Sequence, residues 1–199
     1  LRLDPLKDED SDGEPTQFHL GEQQKFIIGS LFGWIESNTI NDKCSGYRRF
    51  RTAYVETAKG SGKSPLAAGI GMYGLIADGE HRAEIFSAAA KKDQAMIMFK
   101  DAVSFVEMSP PLSKRLKLSG KQPNVWNIYD EQTNSNFRPI SSDEGQSGAR
   151  PHIGLIDELH EHKSPLVVNM MGAGQKGRKQ PLVFIITNSG SDKQTVCGE

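Results

Sequence analysis

The chain has 199 residues, 25% of them charged and 36% apolar, which fits one globular domain with a core of its own. Its 24 basic and 25 acidic residues leave a formal net charge of −1, so a positive field over the whole surface is excluded and any nucleic-acid contact must come from local Lys/Arg clusters. Cys44 and Cys197 form neither a disulfide framework nor a zinc spacing, which favours a reducing compartment, and no apolar run nears the ~20 residues of a membrane span.

Residues 1–17 hold Asp4, Asp8, Glu9, Asp10, Asp12 and Glu14 and almost nothing apolar after Leu6. Such a segment cannot bury enough surface to offset its ordering entropy, so it reads as a flexible acidic arm ahead of one domain, 18–199. From Gln24 to Ile35, the apolar Phe26, Ile27, Leu31, Phe32 and Trp34 fall near helical spacing. A polar loop follows from Ser37 to Gly46. Tyr47 to Glu56 reads as a strand, Thr57 to Ser64 as a glycine-containing turn, and Pro65 to Ala77 as a helix. A strand over Ala83–Ala88 precedes a helix that Asp93 caps, with Ala95, Phe99, Ala102, Val103 and Val106 on one face and Pro110-Pro111 closing it. A hairpin is expected from Trp126–Tyr129 and Phe137–Ile140. Ile153–Ile156 and Leu182–Thr187 are near-continuously apolar, as strands covered on both faces of a parallel sheet are. Strands alternating with helices predict an α/β fold with a mainly parallel sheet and helices on both faces.

Between a predicted strand and a predicted helix stands Thr57-Ala58-Lys59-Gly60-Ser61-Gly62-Lys63-Ser64. That is the context a phosphate loop requires, because backbone N–H groups of the turn and the helix N-terminus converge on an anion. Gly60 and Gly62 permit the turn, Lys63 would reach the β- and γ-phosphates of ATP, and the Ser64 hydroxyl would ligate Mg²⁺. The pattern's first glycine is Thr57 here, and an ordinary Gly/Ser turn would look similar on its own. Ile153 to Ile156 runs into Asp157-Glu158, the shape of a Walker B element: an Asp that holds Mg²⁺ through water and a Glu that activates the attacking water. In an open α/β sheet both would lie beyond the same carboxyl edge. His160 and His162 lack the spacing of a zinc-protease motif and read as loop residues packed near Glu158. Thr187, Asn188 and Ser189 end the last strand with small polar side chains able to sense the γ-phosphate or the water, although Asn-Ser-Gly also favours a plain turn.

Together these residues resemble the ATPase domain of tailed-bacteriophage large terminase subunits, of the HK97-like branch, over about Gly21 to Ser191. The resemblance places Gln24 as the adenine-reading glutamine and Lys59 as an extra basic residue on the phosphates, and it accounts for the missing first glycine. Asp157-Glu158-Leu159-His160 matches the family's acidic signature, while Thr187-Asn188-Ser189-Gly190 departs in its middle residues from the usual coupling motif. It implies a P-loop NTPase of the RecA-like type that hydrolyses ATP with Mg²⁺ and moves double-stranded DNA into a procapsid. Implied partners are the small terminase subunit, the portal of the procapsid and further copies of the chain in a ring, in host-cell cytoplasm and not at a membrane. An RNase-H-like nuclease domain of the family is not among these residues. Arg115, Arg150 and Arg178 are candidates for an arginine acting on a neighbouring subunit, with Arg178 preferred, and Lys176, Arg178 and Lys179 in the loop Gly172–Gln180 form the best basic cluster for DNA phosphates. A DExH helicase half and a nucleotide-gated DNA-binding module with little turnover are the alternatives.

Overall fold

The computed structural model describes residues 2–3, 16–36, 46–141, 149–162 and 164–188. Most of the stretch read as an acidic arm and of the polar loop after Ser37 therefore lies outside the described residues. Two short strands, β1 (Arg2–Leu3) and β2 (Thr16–Gln17), pair antiparallel. Helix α1 (Glu22–Phe32) stops short of Ile35: the Gly33 N–H makes a closing helical bond to Gly29 O at 2.9 Å, and Ile35 bridges Arg48 instead. The apolar set expected on one helix is split: Leu31 is buried, whereas Phe26 is 74% and Trp34, beyond the helix end, 58% exposed.

Strand β3 (Thr52–Glu56) leads into helix α2 (Lys63–Ile76), then β4 (Glu84–Ala89) and α3 (Lys92–Met108). The N-cap of α3 is Lys91, not the expected Asp93; the Gln94 side chain accepts from the Lys91 N–H at 3.2 Å and takes the first-turn role Asp93 was assigned. Pro110 and Pro111 do not merely close α3. They start a further helix, α4 (Pro110–Arg115), where a missing N–H has no helical acceptor to forgo. An unanticipated strand, β5 (Leu116–Ser119), follows, then β6 (Asn127–Asp130), β7 (Ser135–Ser141) and β8 (Pro151–Asp157). A single 3-10 turn (Leu159–Glu161), helix α5 (Leu166–Gly174) and β9 (Leu182–Thr187) complete the order. Part of the stretch read as a glycine-rich loop, Gly172 to Gly174, is thus the end of α5. Tertiary burial of Val167 and Met171 outweighs the weak helix propensity of its glycines.

Seven strands form one sheet in the order β3-β9-β8-β4-β7-β6-β5. The first four pairings are parallel and the last two antiparallel, so the expected hairpin is present as β6–β7 with β5 added at its edge. Alternate residues divide between two cores, as the two-residue period of a strand demands. Ile85, Leu155 and Phe184 pack with Leu66, Ile70, Met98 and Phe99 of α2 and α3. Their neighbours Phe86, Ile156 and Ile185 pack with Val167 and Met171 of α5. Helix α2 lies close on the sheet because Gly74 has no side chain; a Cβ there would stand 2.3 Å from Ile153 Cδ1.

At the edge of the sheet opposite the strand C-termini, Asp78 is buried between three partners. Its Oδ2 accepts from Arg48 Nη2 and lies 2.6 Å from His152 Nε2, and its Oδ1 accepts from Gln180 Nε2 at 3.2 Å. Arg48 also lies over the Phe32 ring, 5.0 Å from its centroid. Arg48 and Asp78 side chains are each 3% exposed, so removing one leaves a charge buried without its counterion. Asp78→Ala is expected to cost about 3–5 kcal/mol in urea unfolding. A loss below about 1 kcal/mol would show that the cluster relaxes into water instead.

Candidate functional site

Parallel register brings three strand ends to one edge. Glu56 of β3 stands beside Thr187 of β9, and Asp157 of β8 beside Ile186 of β9. The Thr57 N–H then donates to Thr187 O at 3.2 Å, which fixes where the turn after β3 begins. Gly60 and Gly62 adopt φ of +83° and +73°, the left-handed region that a Cβ disfavours. Thr57 Oγ1 and Ser61 Oγ lie 2.7 Å apart across the turn. Gly62 is the N-cap of α2, so the N–H groups of the next residues, Lys63 and Ser64, have no acceptor within the helix. Gln24 clamps α1 onto this turn: its Nε2 donates to Gly62 O at 3.3 Å and its Oε1 accepts from the Gly21 N–H at 3.0 Å. A Cβ on Gly62 would come within 2.9 Å of that Nε2.

Among the described residues three acceptors face the Lys63 ammonium. Nζ donates to Thr57 O at 3.3 Å and to Asn188 Oδ1, and lies 3.7 Å from Glu158 Oε1. Asn188 reaches the same carboxylate, with Nδ2 at 3.0 Å from Oε1 and 3.2 Å from Oε2, and its backbone N–H at 3.3 Å from Oε2. Glu158 itself sits at φ +47°, ψ +57°, a left-handed conformation that costs a non-glycine residue roughly 1–2 kcal/mol. His160 Nδ1 is 2.9 Å from Thr187 Oγ1 and 3.3 Å from Glu158 Oε2. A cation and a carboxylate are thereby gathered at the positive end of α2, where backbone and side chains together suit a polyanion.

Residues 22–199 match the family model described as terminase large subunit, ATPase domain. The chain belongs to the terminase large-subunit ATPase domain family. It is 24% identical over 145 residues to the terminase large subunit of enterobacteria phage HK97, an alignment covering 70% of this chain and 28% of that protein. Among solved structures it superposes on the HK97 bacteriophage large terminase with a TM-score of 0.74 at 20% identity, over 92% of this chain and 36% of that one. The Thermus phage P74-26 large terminase ATPase domain gives 0.57 at 18% identity, over 83% and 70% of the two chains. The aligned part thus spans under a third of the length of the curated HK97 relative. Family membership sets the Asp157-Glu158-Leu159-His160 run in a terminase domain and not in a DExH helicase half.

In this terminase domain Lys63, Glu158, Asn188, Thr187 and Gln24 converge, and Asp157 ends β8 beside them. Burial, then the neighbouring Glu158, pushes the Asp157 carboxyl up to about 6, against the opposing pull of its backbone hydrogen bond and of Lys63. Among the described residues no three His, Cys, Asp or Glu side chains group as metal ligands. A magnesium ion needs fewer, since it keeps several waters and uses one or two protein oxygens with phosphates; the buried Asp157 carboxylate and the Ser64 hydroxyl are oxygen donors of that kind. Lys59 is exposed on the turn, and Ser189 lies outside the described residues.

His162 is buried, its Nε2 3.2 Å from Asp157 O, and burial holds its pKa below the ordinary imidazole value. Arg178 is the clear departure from expectation. Its Nε and Nη2 donate to Arg150 O at 3.0 and 2.7 Å, and its Nη groups lie 3.3 and 3.6 Å from Glu80 and Glu84. The guanidinium is therefore engaged within its own chain, not presented to a neighbour, and it leaves only Lys176 and Lys179 of the proposed basic cluster exposed. Arg115 is likewise bound to the buried Asp130, at 2.6 Å. The exposed Arg150 is the remaining member of the three.

Two residues of α3 border the site, and one of them, Asp101, went unread in the sequence. Gln94 of α3 donates from Nε2 to Glu161 in the turn after β8, joining that helix to the site. Asp101 has its carboxyl pushed up to about 6, first by burial and then by the charge of Asp157. The signal was present: Asp101 stands three residues after Met98 and four before Phe105, both fully buried, and so borders the helix's inner face. Both carboxyls hold their proton more tightly folded than unfolded. Their favourable contribution is complete below about pH 4 and is lost as pH rises through about 6. Asp101→Asn is therefore expected to stabilise the domain by about 1–3 kcal/mol at pH 8 and by nothing at pH 4, in thermal melts with chelator present. Equal shifts at the two pH values would contradict this origin.

Proposed function

We propose that the domain hydrolyses ATP as the motor part of a viral DNA-packaging terminase that drives double-stranded DNA into a procapsid. The observation that carries this reading is the Lys63 amine 3.7 Å from Glu158 at the start of α2, beyond the C-terminal ends of β3, β8 and β9. The turn Thr57–Gly62 and the α2 N-terminus bind the phosphates, Lys63 offsets charge on the β- and γ-phosphoryl groups, and Lys59 adds a second cation. Glu158 accepts a proton from the water that attacks the γ-phosphorus in line, and ADP is the leaving group. Asp157 and Ser64 would hold Mg²⁺, which supplies neutralisation of phosphate charge. Gln24, already anchored to Gly62, is assigned to the adenine, which would draw its amide from the turn to the base.

The partners follow from the same reading: duplex DNA, the small terminase subunit, the portal of the procapsid, and further copies of the chain in a ring in host-cell cytoplasm. Arg150 is assigned to the neighbouring subunit's site, since Arg115 and Arg178 are bound within their own chain. Lys176 and Lys179 are assigned to DNA phosphates. A nuclease domain elsewhere in the whole protein would cut the packaged DNA.

Glu158→Gln is expected to bind ATP with wild-type affinity while phosphate release falls by about 10²–10⁴. Lys63→Ala should lose ATP binding measured by calorimetry with magnesium. Equal phosphate release by wild type and Glu158→Gln rules out this base, and unchanged affinity in Lys63→Ala rules out the phosphate loop.

A further inference from the structure

We infer that His160 is a positioning residue for this reaction: its Nδ1–H holds one oxygen of Glu158 and leaves the other as the base. The inference rests on the reading of the site as an ATPase. The short turn after β8 is what brings the imidazole to the carboxylate. Glu158 heads that turn in its left-handed conformation, the Glu161 N–H donates to Glu158 O at 2.8 Å, and the His162 N–H donates to Leu159 O at 3.1 Å. His160 Nδ1 then lies 2.9 Å from Thr187 Oγ1 and 3.3 Å from Glu158 Oε2. Those two neighbours fix which ring nitrogen carries hydrogen. The Thr187 hydroxyl has one hydrogen, which goes to Asn188 O at 3.0 Å, so towards the ring it accepts. An ionised carboxylate only accepts. A bare nitrogen lone pair would face two acceptors, so Nδ1 carries the hydrogen whether the ring is neutral or charged.

The result is a carboxylate with two unlike oxygens. Oε2 faces the Asn188 backbone N–H at 3.3 Å, Asn188 Nδ2 at 3.2 Å and His160 Nδ1 at 3.3 Å. Oε1 faces Asn188 Nδ2 at 3.0 Å and Lys63 Nζ at 3.7 Å. An oxygen met by three donors has its lone pairs engaged and is the weaker base. Oε1 keeps a lone pair and is the oxygen nearer Lys63, where the γ-phosphoryl group is assigned. The last torsion of a glutamate is broad and nearly twofold, so without an anchor on one side the two oxygens exchange places. Asn188 Nδ2 reaches both oxygens and does not tell them apart. The Asn188 main-chain N–H and the His160 N–H do, and of these only the imidazole is a side chain that substitution removes. In the chemical step one O–H bond of the water breaks, its proton goes to Oε1, and its oxygen bonds the γ-phosphorus as ADP leaves. His160 neither gains nor loses a proton.

The test uses the whole chain, with magnesium ATP binding by calorimetry, steady-state phosphate release and melting curves on the same preparations. His160→Ala should lower kcat at least about tenfold while ATP affinity stays within about twofold. His160→Asn keeps an N–H on the atom bonded to Cγ, where Nδ1 stands, and should bring kcat back to within about threefold of wild type. His160→Gln carries its N–H one bond farther out and should stay as slow as His160→Ala; it stands in for the alanine variant if that one does not fold. In a Glu158→Gln background, His160→Ala should change phosphate release by less than about twofold, because the imidazole acts through the carboxylate. Wild-type kcat in His160→Ala and His160→Gln overturns the proposal. So does an asparagine variant as slow as the alanine one, or a loss that persists in the Glu158→Gln background. If Glu158→Gln itself releases phosphate at the wild-type rate, the ATPase reading fails; if it does not and the His160 variants match wild type, only the role of His160 fails.

Discussion

Parallel pairing of β3 with β9 and of β9 with β8 sets the distance over which every group in the site must work. Adjacent strands lie about 4.8 Å apart, so three consecutive strand ends span roughly 10 Å. Within that width come the turn after Glu56, the carboxylates after Ile156 and the amide after Thr187. A slip of one residue in either pairing would turn Asp157 or Thr187 to the other face and separate Lys63 from Glu158. The contacts made by Asn188 to both of those residues are thus the consequence of sheet register, which the apolar runs of β8 and β9 enforce by burial on both faces.

The opposite edge of the same sheet has a different chemistry. There Asp78, Arg48 and His152 form a buried charged cluster tied to Gln180, which joins the end of α2, the approach to β3, the start of β8 and the approach to β9. Arg178 likewise fastens the segment before β9 to Glu80, Glu84 and Arg150. Ionic contacts fasten the base of the sheet, and polar contacts join Lys63, Asn188 and Glu158 at the opposite rim. Glu158, in a strained left-handed conformation, belongs to the rim, as strain concentrated at a working site commonly does.

The buried strands β4, β8 and β9 announce themselves as apolar runs, and the glycines and lysine of the turn after β3 announce a loop shaped for anions. Helix α5 did not, because Gly172 and Gly174 lower local helix propensity and only the cover that Val167 and Met171 give to the second face reveals it. Strand β5 was hidden for a related reason: Leu116 to Ser119 has no apolar alternation strong enough to stand without its partner β6. The prolines after α3 permit either a stop or a new start, and local sequence does not decide between them.

The residues alone determined the fold class, the buried strands β4, β8 and β9, the glycine turn before Lys63 and the placing of Asp157-Glu158 at a strand end, because glycine backbone freedom, burial of apolar runs and the position of charge at strand ends are local properties. Tertiary structure alone decided that Asn188 bridges Lys63 and Glu158, that Gln24 grips the turn, that Asp101 shares the field of Asp157, and that Arg178 is bound within its own chain. Each of those depends on groups 28 or more residues apart meeting across elements. No local pattern encodes such meetings, since they are fixed only when strand order and helix placement close the chain upon itself.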